Sequence, residues 1–243
     1  MDNVEQFKKK IHSFLSRASE GRVVLLPFLD EKEGYILESA SKEMNLSFVS
    51  DGGIINSERK RYLFTPYLEK ADFKIVVYSI IYNKRYYEIN HRSILGSLMG
   101  LGIKRECIGD IVIIDKDAYF SSTMEISQFL ENEFNYVGNI PIKLERIDYP
   151  IYNEIKYAIT LHFLASLRLD AIISQACHVS RSEASEMIAL GLVMVNHEII
   201  YNTSHIIKEN DELSIRHKGH YKIHSIGNES KSGRIKVEIA KRI

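Results

Sequence analysis

Ser180-Arg-Ser-Glu-Ala-Ser-Glu-Met-Ile-Ala-Leu-Gly-Leu-Val-Met-Val-Asn-His-Glu-Ile-Ile-Tyr201 is the stretch on which the fold turns. Ser180 and Glu183 have the S-x-x-E spacing of a capping box, in which the serine oxygen accepts a backbone N–H and the glutamate returns one. Ala184, Met187 and Ile188 then recur on one helical face, and Gly191 suits the left-handed residue that closes a helix. Leu192–Val195 has the composition of a strand, Asn196-His197 that of a tight turn, and Glu198–Tyr201 that of the returning strand. Asparagine tolerates the positive φ that a two-residue hairpin turn demands.

Upstream, Leu169, Ile172, Ile173 and Ala176 follow the i, i+3, i+4, i+7 pattern of a short amphipathic helix. Downstream, Lys208–Asp211 reads as a turn and Glu212–Arg216 as a strand, so Leu167–Ile223 is expected to fold α-α-β-β-β. Arg181 falls at the first position of the second helix, where unbonded N–H groups and the positive end of the dipole favour phosphate. Arg168 precedes the first helix and Ser182 adds a hydroxyl, and a guanidinium fork matches phosphate oxygens. Arg168 could instead pair with Asp170 or Glu186 on a solvated face, and the residues alone leave both readings open.

Arg168-Leu-Asp170, Ser180-Arg-Ser182 with Ala184, Gly191-Leu-Val193 with Val195-Asn196, and Asp211 with Ser214-Ile-Arg216 resemble, in order and spacing, the S4-type RNA-binding domain. That domain occurs in a ribosomal protein, in pseudouridine synthases and in stalled-ribosome factors. His197 and Asn210 stand where glycine is common, which alters turn chemistry more than binding. The resemblance implies an S4-type domain over 165–243 that contacts RNA through Arg168, Ser180, Arg181, Ser182, Asn196, Arg216 and Lys218.

The preceding chain is mixed α/β. Val4, Phe7, Ile11, Phe14, Leu15 and Ala18 lie on one face of an N-terminal helix that also carries Lys8, Lys9 and Lys10. Docking of that helix on its own domain is preferred to a membrane surface. Val23–Leu29 reads as a strand, Glu31–Met44 as a helix, Leu46–Val49 as a strand and Gly52-Gly53 as a turn. From Phe73 the order is strand Phe73–Ile81, helix Ser93–Leu101 stopped by Gly102, strands Ile111–Ile114 and Ala118–Ser121, helix Glu125–Phe134 and strand Ile140–Ile147. That β-α-β-β-α-β order predicts a ferredoxin-like split βαβ module over 73–150, after an N-terminal α/β region over 1–72. The whole is an α+β protein, with a joint at Asp148-Tyr-Pro150 and a further strand over Glu154–Phe163. Lys74, Tyr78 and Tyr82 share a strand face, either as stacking platforms for bases or as a cap on the sheet core.

Gly52-Gly53, Glu58-Arg-Lys-Arg61, His91-Arg-Ser-Ile-Leu-Gly96, Met99-Gly-Leu-Gly-Ile-Lys-Arg105 and Gly109-Asp-Ile111 are similar to the YlmH family. These bacterial proteins carry a ferredoxin-like module followed by an S4-type domain. The resemblance implies binding to ribosomal RNA of the large subunit and an RqcP-like role, stabilising tRNA on stalled or split ribosomes. Some members carry a cell-division label. Arg59, Lys60, Arg61, His91, Arg92, Lys104 and Arg105 are the clustered cations that could meet RNA in this half. Leu95-Gly-Ser-Leu-Met-Gly-Leu-Gly102 lacks the Lys-Ser/Thr ending of a P-loop, and its glycines read better as sites of close helix packing.

Composition excludes several alternatives. Lys and Arg number 32 against 32 Asp and Glu, and residues 160–243 hold 11 against 9, so any RNA site is a local patch. Cys107 and Cys177 have no metal-ligand spacing and suit a reducing cytosol. His178, His197, His205, His217, His220 and His224 lack H-x-x-x-H spacing or a C-x-x-C partner. No apolar run approaches the roughly 20 residues of a membrane span. The charged N-terminus is unlike a secretory signal. No nucleophile–base set and no nucleotide-binding motif of a tRNA synthetase is recognisable. A cytoplasmic, monomeric RNA-binding protein without cofactor, metal or small-molecule substrate is expected. A division-site interaction protein or an RNA-modifying enzyme are the alternatives.

Overall fold

The computed structural model describes residues 3–67, 71–154, 156–229 and 233–242, in two units, Met1–Glu154 and Ile155–Ile243. In the first, α1 (Asn3–Ser19) turns Phe7, Ile11, Phe14, Leu15 and Ala18 inward, as their spacing requires. The side chains of Val4 and Lys8 lie outside the described residues. β1 (Val24–Leu25) is followed by α2 (Glu31–Glu43), β2 (Val49–Asp51) and β3 (Arg61–Phe64). The strands form an antiparallel sheet in the order β1-β3-β2, and Leu26, Leu37, Tyr62 and Phe64 close the core with α1 and α2. α2 opens on a complete capping box: the Glu33 N–H donates to Asp30 at 2.8 Å and the Asp30 N–H to Glu33 at 3.0 Å. The strand expected over Val23–Leu29 shrinks to two residues. Pro27 has no N–H to give a ladder, and the Phe28 N–H donates instead to the Glu106 carbonyl at 3.0 Å. Leu46 and Phe48 pack on the core ahead of β2, which begins only at Val49.

The rest of this unit runs β4 (Ile75–Ile81), α3 (His91–Gly100), β5 (Ile108–Ile114), β6 (Asp117–Thr123) and α4 (Ser127–Glu133). A small hairpin, β7 (Tyr136–Val137) with β8 (Ile140–Pro141), then precedes β9 (Lys143–Ile147). The sheet order β5-β6-β4-β9, antiparallel throughout, is the ferredoxin-like arrangement. The single strand expected over Ile140–Ile147 divides at Ile142, whose N–H donates to the Asn135 carbonyl at 2.9 Å. α3 and α4 cover one face, burying Tyr78, Ile80, Ile94, Leu98, Phe120 and Leu130. On the other face Ile54, Val112 and Ile151 form a small second cluster.

Of the two readings of the Tyr78–Tyr82 face, the cap on the sheet core holds and the stacking platform does not, because the helices lie on that face. Tyr78 is fully buried, its hydroxyl donating to Glu131 at 2.8 Å, and Tyr82 donates to the Lys116 carbonyl at 2.8 Å. Lys74 precedes the strand with a left-handed φ of 50°. Nor do Gly96 and Gly100 permit close packing, since among the described residues an added Cβ at either meets no atom within 4 Å beyond its own helical backbone and chain neighbours. Gly102, at φ +77°, is the helix stop. Gly96 therefore weakens α3 without return, and Gly96→Ala is expected to stabilise the protein by about 1 kcal/mol. A melting curve should show a rise of roughly 2–4 °C, and a fall would mean that a neighbour does need the space.

The second unit contains β10 (Tyr157–Leu164), α5 (Leu169–Cys177), α6 (Arg181–Ala189), β11 (Val193–Val195), β12 (Glu198–Ile199), β13 (Glu212–Ile215), β14 (Gly219–Glu229) and β15 (Ile235–Arg242). All six strands join one antiparallel sheet in the order β10-β15-β14-β13-β11-β12. Leu169, Ile172, Ile173, Ala184 and Ile188 from the two helices bury against Val193, Leu213, Ile223, Val237 and Ile239. Asn196 at φ 47° and His197 at φ 67° make the hairpin turn as anticipated, and Gly191 at φ +67° ends α6. β14 and β15 are additions to the expected α-α-β-β-β order. Their alternation, Tyr221 and Ile223 then Val237 and Ile239 facing the core, is the period of a half-buried strand.

Candidate nucleic-acid interface

α5 and α6 are short helices whose starts are brought together by one carboxylate. Asp170, in the first turn of α5, is 5% exposed. It accepts from Arg168 twice, Nε at 3.2 Å and Nη2 at 3.1 Å, and from Arg181 Nη2 at 2.8 Å. The arginine side chains stay 38% and 51% exposed, so each fork is anchored at one edge and open to solvent elsewhere. Burial pushes the Asp170 carboxyl up, yet the two guanidiniums outweigh it and hold the group below its ordinary value. Pairing of Arg168 with Asp170 and presentation of Arg168 to an anion are therefore one arrangement, because the pairing orients the fork.

The two helix starts differ in availability. The Leu169 and Asp170 amides of α5 already donate to the His205 and Thr203 carbonyls at 2.8 and 3.2 Å. At α6 the Ser180 hydroxyl accepts the Glu183 N–H at 3.1 Å, and Arg181 and Ser182 are exposed. Their amides have no carbonyl one turn back to bond. The capping box expected from Ser180 and Glu183 is only half formed, because the glutamate carboxylate does not return to Ser180.

The other C-terminal candidates lie at the two ends of β13. Asn196 joins the hairpin turn to the start of that strand, donating to Asp211 at 2.9 Å and accepting the Glu212 N–H at 3.0 Å. Arg216 and Lys218 occupy the turn after its end, where the Lys218 carbonyl accepts the Tyr221 hydroxyl at 3.1 Å. Arg168, Ser180, Arg181 and Ser182 are thus grouped, whereas Asn196 and the Arg216–Lys218 turn are a strand length apart.

In the first unit the cations divide into struts and surface groups. Arg61 is 5% exposed and donates to the carbonyls of Leu26, Phe73 and Lys74 at 2.9, 2.9 and 3.0 Å. Its guanidinium is inside the protein, stitching β3 to the start of the ferredoxin-like sheet. Arg59 donates to the Ile108 and Phe28 carbonyls at 3.2 and 3.1 Å, and Arg105 to those of Ile108 and Gly109 at 2.5 and 3.1 Å. Lys60 pairs through its backbone with Leu29. His91, Arg92 and Lys104 are exposed, with His91 and Arg92 in the first turn of α3 behind the Asn90–Ser93 capping box. Partial burial, then Arg105, hold the His91 imidazole below its usual range.

The glycine-bearing motifs surround this cluster for packing reasons that spacing does not reveal. Asp110, 8% exposed, accepts the Glu58 and Arg59 amides at 2.7 and 3.0 Å. A Cβ on Gly109 would stand 2.1 Å from Ser121 Oγ and 2.7 Å from Phe28 Cε1. One on Gly52 would stand 2.5 Å from the Arg59 carbonyl oxygen.

Residues 68–150 match the family model described as "Putative RNA-binding domain in YlmH", and residues 167–213 match the model described as "S4 domain". The chain is 30% identical over 249 residues to Bacillus subtilis (strain 168) "Ribosome-associated protein quality control protein P2", covering 97% of both chains. The chain belongs to the YlmH family. A solved structure, "Cell division protein ylmH from Streptococcus pneumoniae", has the same fold at TM-score 0.52 and 23% identity, covering 61% of this chain and 93% of that one. The YlmH-type module coincides with the ferredoxin-like sheet, and the S4 match spans α5 through the start of β13, including Asp170 and both of its arginines. Among the described residues no three His, Cys, Asp or Glu side chains gather as a metal site, and no helix is long and apolar enough to cross a membrane.

Proposed function

We propose that this protein is a non-enzymatic, monomeric RNA-binding factor of the cytoplasm that docks on ribosomal RNA of the large subunit. There it stabilises tRNA on stalled or split ribosomes. The observation that carries this reading is the Asp170 tether, which aims two arginine forks beside the open amides of α6. Phosphate oxygens fit such a patch, because charge-assisted bonds and a helix start act on the same anion. Similarity to a Bacillus subtilis protein named for ribosome-associated quality control supports the choice of partner. We retain the division into a 1–72 region, a 73–150 module and a 165–243 domain. Arg61, buried under backbone carbonyls, is left out of the proposed RNA surface.

Sucrose-gradient cosedimentation tests this reading. At low salt the protein should travel with large ribosomal subunits and leave them as salt rises. Arg181→Ala should weaken binding about tenfold and lower the slope of log affinity against log salt by about one, as expected for one lost phosphate contact. Protein that stays at the top of the gradient at every salt concentration, while a division protein copurifies, would favour an interaction scaffold instead.

A further inference from the structure

A cavity of about 480 Å³ opens in the first unit where α1, the turn before α2, and the Lys104–Glu106 segment meet. That volume falls in the range of about 300–1,000 Å³ typical of small-ligand sites. Phe7, Phe28, Glu33, Arg59, Lys104 and Arg105 are the lining residues that decide its chemistry. Arg59 and Arg105 are half-buried neighbours, each fixed by backbone carbonyls on one side of its fork. Among the described residues neither forms an ion pair within 4 Å. Asp110, the carboxylate behind them, is engaged by the Glu58 and Arg59 amides. Burial first, and the charge of Arg59 second, push the Arg105 guanidinium down to about 10, against the pull of Asp110 and Asp30. Two adjacent guanidiniums in a partly desolvated wall repel each other, and Asp110 behind them offsets that only in part. An anion entering the cavity would offset the remainder.

The remaining walls narrow the ligand. Lys104 is exposed at the rim and adds a third cation, whereas Lys10 is already paired with Glu106 at 2.9 Å. Phe7, partly buried, offers an apolar ring, and Phe28 closes the floor. Asp30 and Glu33 use one oxygen each in the α2 capping box, and their other oxygens can accept from N–H donors. Phosphate-binding cations, an aromatic wall and carboxylate acceptors together match one nucleotide: phosphate, base face and exocyclic amine.

We propose that this cavity holds a single unstacked nucleotide, its phosphate against Arg59 and Arg105 and its base beside Phe7. The same chemistry is available from a free mononucleotide or from one residue of a single-stranded RNA segment. The RNA source rests on the function proposed above, but the site itself does not.

The test is calorimetric titration of the full chain with each 5′-mononucleotide (AMP, GMP, CMP and UMP), with inorganic phosphate, and with a single-stranded hexaribonucleotide of each base. Saturable binding of at least one nucleotide probe is expected, weakened roughly tenfold by Lys104→Glu, a change at an exposed side chain. Arg105→Lys, with folding verified by its melting curve, should weaken it similarly, because a lysine cannot hold two carbonyls and a phosphate at once. The hexanucleotides are titrated also into Arg168→Ala/Arg181→Ala, so that only binding independent of the patch at Asp170 is assigned to the cavity. A hexanucleotide that binds more than tenfold tighter than its mononucleotide assigns the site to RNA, and equal affinities assign it to free nucleotide. No saturable binding of any nucleotide, or binding indifferent to both Lys104→Glu and Arg105→Lys, overturns the proposal. Binding of phosphate alone with affinity equal to that of the nucleotides overturns the base contact. Nucleotide binding that persists in a protein unable to sediment with ribosomal subunits would refute the ribosomal function and leave this site standing.

Discussion

Asp170→Asn is expected to weaken RNA binding about tenfold to a hundredfold, although it removes a negative charge from the patch. If attraction to phosphate were governed by net charge alone, losing an anion between two arginines would strengthen binding. The geometry predicts the reverse. Asp170 accepts three guanidinium bonds at 3.2, 3.1 and 2.8 Å from a site that is 5% exposed. An amide in its place keeps one oxygen acceptor and turns an N–H group toward a guanidinium, so at least one fork swings into solvent. Each long side chain must then be ordered again on binding, at roughly 0.5–1.5 kcal/mol apiece, with misaligned contacts adding to that loss. Both arginines remain charged, so the salt slope should not fall, unlike that of Arg181→Ala. The folded unit should also lose about 1–2 kcal/mol. This is the low end for removing a buried partner, because the arginine side chains are 38% and 51% exposed and regain water. Fluorescence anisotropy with large-subunit RNA at several salt concentrations gives both affinity and slope, and an asparagine variant that binds as well as wild type would sink the tether.

The same carboxyl sets an acid limit. Its folded value lies below its ordinary 3.8. Its contribution is therefore complete above that ordinary value and fades as pH falls through the lower, folded one. The asparagine variant lacks this component of acid loss.

Much of the second unit was legible because its signals are local. Helix period, a serine cap, an asparagine turn and a glycine stop each lie within a few residues, and each appears where its spacing puts it. What spacing could not tell was that Arg168 and Arg181, thirteen positions apart, share one buried acid. Asp170 sits in the first turn of α5 with the polar look of a surface residue, and only the crossing of two helices buries it. In the first unit the motif residues were visible but their reasons were not. Arg61 reads as one of a run of cations, yet it is the member whose β3 position points it under Leu26 and Phe73. Gly96 and Gly109 look alike in sequence; the first has empty space around it and the second has none. Non-local packing decides both, and no window of sequence contains it.

Gly109→Ala should destabilise the first unit by about 3 kcal/mol. The new Cβ would stand 2.1 Å from Ser121 Oγ and 2.7 and 3.0 Å from two atoms of the Phe28 ring. Phe28 and Ser121 are both fully buried, so neither can swing out into solvent. β5 already carries an irregularity between Ile108 and Ile111, and the Ile108 and Gly109 carbonyls are held by Arg59 and Arg105. A shift of the backbone would therefore strain those bonds as well. For a unit of this size the loss corresponds to a fall of roughly 6–12 °C in melting temperature. Among the described residues the buried Ser121 Oγ has no hydrogen-bond partner, so Ser121→Ala alone should be neutral or slightly stabilising. Combined with Gly109→Ala it removes the shortest contact, and the double variant should recover at least 1 kcal/mol beyond additivity. Strict additivity would mean that the serine is not the obstacle. A melting temperature within 1 °C of wild type for Gly109→Ala would mean that β5 can give way, and that the glycine in the Gly109-Asp-Ile111 motif is not there to admit Phe28. Because the arginine patch belongs to the other unit, folded Gly109→Ala protein should keep the phosphate contact of Arg181, so that adding Arg181→Ala still lowers its salt slope by about one. That result separates a glycine that builds the first unit from residues that meet the ligand.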